Sequence, residues 1–522
     1  MAEARRGLTR RRLLSAGGLG AAGAALGAAG IGPAALGAGK ARAQSPRERP
    51  NALLIVVDGV RADFVGAYDD SDERAQTPSL DALAGESLRF DRAIPDAMPA
   101  FPSRRGLLTG MRAYPFRDWR PTKGLAQFPG WNPIWDHQPL LTEQLQAGGV
   151  TALYVSDNPL LDDARLRGVV RKPAGGEPAA TQITRYLAPA LPGGARQGEP
   201  PAARVVRGGI EALEELGSKQ PFFLGVDVFD RIEAIEPTPL YARRLDSSPE
   251  NAPSRASESA AASYRPIERV DPVAGSDGRV RDNYATEVTA VDREIGRLLD
   301  RLDALGLAES TVVYFVSATT LALGEHGIFG MGAAGGHEDA YRAAYMIRDP
   351  EGRRAGETSP FHASTPDVAP TLLSYMGLTI PGKMKGEDLT ALLDEDDLHP
   401  RPSFAISIDE DVVASNGRYV LVASGEGRRK RLFDTDPDQW EDDHSGDDDY
   451  RPRDEDKDVS AEQAETVKQL WQVALTAAGG TLPKLGPDGP IRPRPEIEDD
   501  DEDADQDEGR LDRDDDLNFM GR

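Results

Sequence analysis

Three short apolar runs set the strongest limits on what this chain can fold into. Asn51–Val57 (NALLIVV), Phe222–Phe229 (FFLGVDVF) and Thr311–Val316 (TVVYFV) lack the polar alternation of a strand that shows one face to water. Such runs are strands buried on both faces, and strands of that kind sit in parallel sheets covered by helices. The segments between them carry helical spacing. Thr77-Pro78 opens one helix, with Thr77 as its cap and Leu80, Leu83 and Ala84 as its apolar stripe. Leu140–Gln146, Arg204–Leu216 and Tyr284–Leu305 give three more, the last stopped by Gly306, and Thr151–Val155 adds a strand. This alternation predicts an α/β fold, a mostly parallel sheet sandwiched by helices. Functional groups in such sheets stand just beyond the carboxyl ends of the strands. Asp58 follows the first run directly, and Asp227 and Asp230 close the second.

The pattern changes after about residue 395. Ser403–Ile408, Arg418–Ala423 and Arg431–Phe433 read as short antiparallel strands, and a helix follows near residues 460–477. The expected organisation is a core over 51–395, a small C-terminal α+β subdomain over 396–480 and an acidic, disordered tail over 481–522. Residues 243–281, rich in Ser, Ala, Pro and Arg, read as a surface insertion.

Composition removes several functions. The chain has no cysteine, which excludes disulfides, thiolate metal sites and a cysteine nucleophile. Its formal charge is −26, concentrated in residues 441–458 and 496–516. Nucleic-acid binding needs clustered Lys and Arg, so it is not expected. The first 43 residues read as an address. Arg10-Arg11-Arg12-Leu13-Leu14 precedes a Gly/Ala-rich apolar stretch, and Ala41-Arg42-Ala43 forms a small-residue cleavage signal. The paired arginines point to a twin-arginine signal and an exported protein: periplasmic, cell-envelope or secreted. No integral membrane segment is expected after signal removal.

Seven stretches, in order, carry a resemblance: NALLIVVDGVRADFVGAY, TPSLDALAGESLRF, PSRRGLLTG, QPFFLGVDVFD, YATEVTAVDREIGRLLDRLDALGL, GEHGIFGMG and STPDVAPTLLSYMGL. Together they resemble the sulfatase family of the alkaline-phosphatase-like superfamily over roughly residues 51–440. The resemblance implies hydrolysis of sulfate or phosphate esters with calcium or manganese. A cation held by carboxylates would screen the ester oxygens, and a nucleophile at a helix N-terminus would accept the transferred group.

Matched residue by residue, the resemblance also implies losses. The family's nucleophile position falls on Ala100, and a methyl group neither attacks nor binds metal. The late metal pair falls on Ala318-Thr319. A histidine-bearing stretch becomes Phe229-Asp230-Arg231-Ile232, a lysine becomes Met331, and a further basic stretch becomes Ser156-Asp157-Asn158-Pro159. Asp58 and Arg104 are retained. The expectation is a catalytically degenerate member with no intact catalytic residue. Arg104 and Asp230 remain as substrate-binding candidates and Asp58 as a residual metal ligand. Its cleft would take an anionic ester, a glycan or a protein partner. The alternative is an active hydrolase of sulfate or phosphate esters, with a calcium or manganese site rebuilt from Asp58, Asp227 and Asp230. A third reading is an interaction protein whose cleft is closed by ion pairs between Arg104 and Asp58 or Asp230. Ser103 reads as a helix-capping hydroxyl.

Overall fold

The computed structural model describes residues 49–480 except 69–70, 99, 117–133, 159–163, 167–168, 173–200, 230–275, 324–328, 331–340, 395–403, 409–410, 426 and 435–457. The expected signal, most of the 243–281 insertion and the acidic tail lie outside the described residues.

The three apolar runs form the centre of an eight-stranded sheet. Its members are β1 (Asn51–Val57), β2 (Leu88–Phe90), β4 (Thr151–Ser156), β5 (Val170–Arg171), β6 (Phe222–Val228), β7 (Thr311–Ser317), β10 (Tyr345–Arg348) and β11 (Thr358–Ser359), in the order β11-β2-β10-β7-β1-β6-β4-β5. β1 pairs in parallel with β6 on one side and β7 on the other. β4 continues the parallel set beside β6, whereas β10 runs antiparallel to both β7 and β2. Every residue of β1, β6 and β7 is buried. Alternate side chains of β1 feed opposite cores: Leu53, Ile55 and Val57 enter one, and Ala52, Leu54 and Val56 the other. Each such Leu, Ile or Val contributes about 1.5–3 kcal/mol by leaving water.

Helices cover both faces. Leu80 of α1 (Pro78–Gly85), Val205 and Leu213 of α4 (Pro201–Leu216) and Val288 and Ile295 of α5 (Ser276–Ala304) fill the first core. Leu107 of α2 (Ala100–Thr109), Leu141 of α3 (Leu141–Ala147) and Leu372 of α6 (Val368–Tyr375) fill the second. The start of α1 differs from the expectation. The Thr77 hydroxyl does not cap the helix; it accepts from Gly66 N at 2.8 Å and donates to Asp81 at 3.1 Å. The cap comes from α5, whose Asp292 carboxylate accepts Ser79 N and Leu80 N at 3.1 and 2.7 Å. A long-range carboxylate thus replaces the local hydroxyl.

A short ribbon of β8 (Ala322–Leu323) and β9 (Phe329–Gly330) follows β7. The C-terminal part is a second sheet, ordered β15-β14-β13-β12-β3, from β12 (Phe404–Ile408), β13 (Asp411–Ser415), β14 (Tyr419–Ser424) and β15 (Arg431–Asp434). Four of these strands form an antiparallel meander. The sequence reading missed β13, whose apolar stretch is too short to stand out. The fifth strand, β3 (Ala97–Met98), comes from far upstream and pairs in parallel with β12. The four-residue helix α7 (Ala391–Asp394) follows the main-sheet elements, and α8 (Ala464–Ala477) packs Leu470 and Ala474 into the core under the second sheet.

One glycine ties the core to the carboxyl edge of the main sheet. A Cβ on Gly225 would meet Cδ2 of Tyr154 at 2.2 Å, so the Tyr154 ring lies directly on the β6 backbone. Gly225→Ala is therefore expected to destabilise the protein by about 1–3 kcal/mol through overpacking. Urea denaturation against the parent chain measures this, and an unchanged midpoint would contradict the packing described.

Candidate functional site

β1 ends in a turn that only its surroundings hold open. Gly59 has φ 75°, a backbone state glycine adopts freely. Its N–H donates to both the hydroxyl and the carbonyl oxygen of Thr319 at 3.1 Å, and Val60 N donates to Ser317 Oγ at 2.9 Å. Tyr284 from α5 completes the clamp: its hydroxyl donates to Gly59 O and accepts Arg61 N. Position 59 is thus a left-handed turn pinned by Thr319. Thr319 itself stands in the expected late metal pair.

Asp58, before this turn, meets Arg104 from α2. Arg104 Nη1 donates to Asp58 Oδ1 at 2.7 Å. Its Nε and Nη2 donate to Asp227 Oδ1 at 2.8 and 2.6 Å, Nε also reaches Asp227 Oδ2 at 3.0 Å, and Nη2 reaches Val228 O at 3.2 Å. The side chains of all three residues are fully buried. Phe229 places its ring 4.9 Å from the guanidinium carbon. Tyr154 and Ser156 of β4 donate to Asp227 Oδ2 at 3.1 and 3.2 Å, and the Thr319 hydroxyl donates to Asp58 Oδ1 at 3.1 Å. Register explains the convergence, since Ser156 pairs with Asp227, which pairs with Val56, two residues before Asp58.

Electrostatics follow from burial. Asp58 is pushed up to about 6 by desolvation, which outweighs Arg104; Asp227 nearby adds to the rise. Burial alone would lower the Arg104 pKa, but Asp227 and Asp58 hold it well above its ordinary value. Desolvation, followed by the neighbouring Asp227, raises the Tyr154 phenol as well.

The sequence-derived residues are partly brought together. Asp58 and Arg104 meet, and the ion pair foreseen with Asp58 or Asp230 forms with Asp58 and Asp227. Asp230 and Met331 lie outside the described residues. Ala100 is the first residue of α2. Ala318 is buried, and its carbonyl accepts the Ser103 hydroxyl. Ser103 therefore ties α2 to the end of β7 and does not cap the helix. Asp58 does not cap backbone N–H groups either; Oδ1 takes Arg104 and Thr319, and Oδ2 is buried without a partner. Tyr154, Ser156 and Thr319 were not foreseen as partners of the acids. The readable signal was an acid, Asp227, inside a run otherwise built for burial.

Calcium or manganese does not fit these donors. Such cations take six or more oxygens, and three of the four carboxylate oxygens of Asp58 and Asp227 accept from Arg104. Among the described residues no group of three His, Cys, Asp or Glu side chains converges to hold a metal.

Comparison with known proteins places the fold. A family model described as Sulfatase matches residues 50–378. N-acetylglucosamine-6-O-sulfatase of Bacteroides thetaiotaomicron is 36% identical over 121 residues, covering 23% of this chain and 21% of that protein's length. An arylsulfatase of Clostridium perfringens is 22% identical over 422 residues, 71% of this chain and 85% of that one. The solved phosphonate monoester hydrolase of Silicibacter pomeroyi superposes with a TM-score of 0.60 at 16% identity, covering 84% and 97% of the two chains.

The Asp58 carboxyl makes stability depend on pH. Its folded pKa lies above the ordinary value of 3.8, so its contribution is full below about pH 4 and is lost as pH rises through about 6. The stability of the parent chain relative to Asp58→Asn should fall by up to roughly 3 kcal/mol between pH 4 and 6. Chemical denaturation of both proteins across that range measures it; a flat difference would mean Asp58 is ionised throughout.

Proposed function

The chain belongs to the sulfatase family, and from that premise we propose that it is an exported member that has lost ester hydrolysis and kept anion binding. The observation that carries the reading is the buried triad: Asp58, the retained metal-ligand candidate, and Asp227 are both engaged by the protein's own cation, Arg104. Three sequence features support it. Ala100 begins α2 where an attacking group would stand, Ala318-Thr319 supplies no carboxylate after β7, and Ser156-Asp157-Asn158-Pro159 supplies no base after β4. Nucleophile and cation each contribute several kcal/mol to barrier lowering in such reactions, so losing both removes the main catalytic terms.

The proposed ligand is an anionic ester, carried on a glycan or on a partner. The relatives' names point to sulfated amino sugars and aryl sulfates. Arg104 and Asp58 form the floor of the cleft in this reading, and Asp230 is kept as a substrate-binding candidate from the sequence. The proposed route of export is the twin-arginine signal at residues 1–43, delivering the protein to the periplasm, the cell envelope or the medium. Among the described residues no helix is long and apolar enough to cross a membrane.

One observation favours the alternative of an active hydrolase with a rebuilt cation site: Asp58 Oδ2 is buried without a partner. Elemental mass spectrometry of the purified protein after mild dialysis separates the two readings. The expected result is no retained calcium or manganese, and no turnover of aryl sulfates or phosphate esters by the parent chain or by Ala100→Ser. A full equivalent of metal that disappears in Asp58→Ala, or turnover restored by Ala100→Ser alone, would overturn the degenerate reading.

A further inference from the structure

A second cation stands at the same edge of the sheet, and it is not consumed as Arg104 is. α4 is joined to β6 by the short segment 217–221, and its Gly209 lies against Val226 of β6. The helix therefore runs antiparallel to the strand, and its N-terminus lies at the carboxyl edge that carries Asp58 and Asp227. Arg204 is in the first turn of this 16-residue helix. It is only 8% exposed. Nη2 donates to Asp157 Oδ2 at 3.1 Å, while Nε is buried without any partner.

Asp157 is also engaged on its other oxygen. Oδ1 accepts Phe229 N at 3.0 Å, and Phe229 is the residue whose ring lies on Arg104. Asp157 thus orients Arg204 beside the triad. Lys172, following β5, donates to the carbonyl of Asn158 and brings a second positive charge to the next residue along. Arg204 stands at the end of the helix where the dipole favours negative charge. A buried guanidinium N–H without an acceptor is costly, and an incoming oxyanion removes that cost.

We propose that Arg204, with the first turn of α4 and the charge of Lys172, forms a subsite for a tetrahedral oxyanion: the sulfate or phosphate group of an ester. The proposal rests on the reading of this protein as an anion binder and names the residue that recognises the anion. Arg104 stays in the floor as the internal counter-ion of Asp58 and Asp227. Arg204 is set instead against Asp157, at the end of β4.

The test is isothermal titration of the full-length protein with inorganic sulfate and, separately, inorganic phosphate, in EDTA at fixed ionic strength. The parent chain is expected to bind at least one of the two ions, and the two titrations report which. Arg204→Gln should weaken binding by about tenfold or more, and Arg204→Lys, which keeps the charge but loses Nε–H, should bind with intermediate affinity. Thermal melts without ligand identify any variant that fails to fold, in which case the lysine variant carries the test. Unchanged affinity in the folded variants, or no binding of either ion by the parent chain, overturns the subsite. Ester turnover in the metal-free protein would overturn the non-catalytic reading and leave the Arg204 result standing. Binding that ignores Arg204 would do the reverse.

Discussion

One guanidinium makes the centre of this molecule possible. Asp227 lies inside a strand buried on both faces, where an unpaired carboxylate would cost several kcal/mol. Arg104 meets it with a two-nitrogen grip and reaches on to Asp58, so three formal charges are withdrawn from water together. Tyr154 and Ser156 fill the remaining acceptor capacity of Asp227, and Thr319 serves both Asp58 and the turn that follows it. The strands β1, β4, β6 and β7 and the helix α2 therefore share one electrostatic constraint. Removing Arg104 would strand two buried acids, a loss of the class that costs about 3–5 kcal/mol.

The constraint is also the physical basis of the proposal that this protein no longer uses a metal. A divalent cation and a guanidinium solve the same problem, the burial of carboxylates, by different means. The cation leaves coordination positions for a substrate; the guanidinium offers a fixed set of donors and is fully committed here. Burial is what raises the Asp58 pKa, and the second acid, Asp227, adds to the rise because one guanidinium serves both.

Much of the architecture was legible in the sequence because it rests on local pattern. Continuous apolar runs gave β1, β6 and β7 their place at the sheet centre, and helical spacing located α1, α3, α4 and α5 within a few residues, apart from the longer N-terminal end of α5. What escaped depends on distant partners. Thr77 reads as a cap until Asp292 arrives from α5, and Ser103 reads as a cap until Ala318 offers a carbonyl. The pairing of Asp58 with Arg104 was among the readings the sequence allowed. Their joint partner Asp227 was legible only as an acid at the end of a strand, because the choice between Asp227 and Asp230 is made by pleat and register. Arg204 was invisible, since a lone arginine in the first turn of an amphipathic helix reads as a solvated side chain.

The pairing of β3 with β12 has a consequence for the order in which the molecule is completed. The two residues Ala97 and Met98 lead into α2, and among the described residues their strand partner is Phe404–Ile408 in the C-terminal sheet. During synthesis the main sheet acquires β1, β6 and β7 long before that partner emerges. The entrance to α2, and with it the approach of Arg104 to the two acids, is thus finished by one of the last strands made. The small sheet acts as a late latch: the core assembles early, and its charged centre closes only when the far end of the chain returns to it.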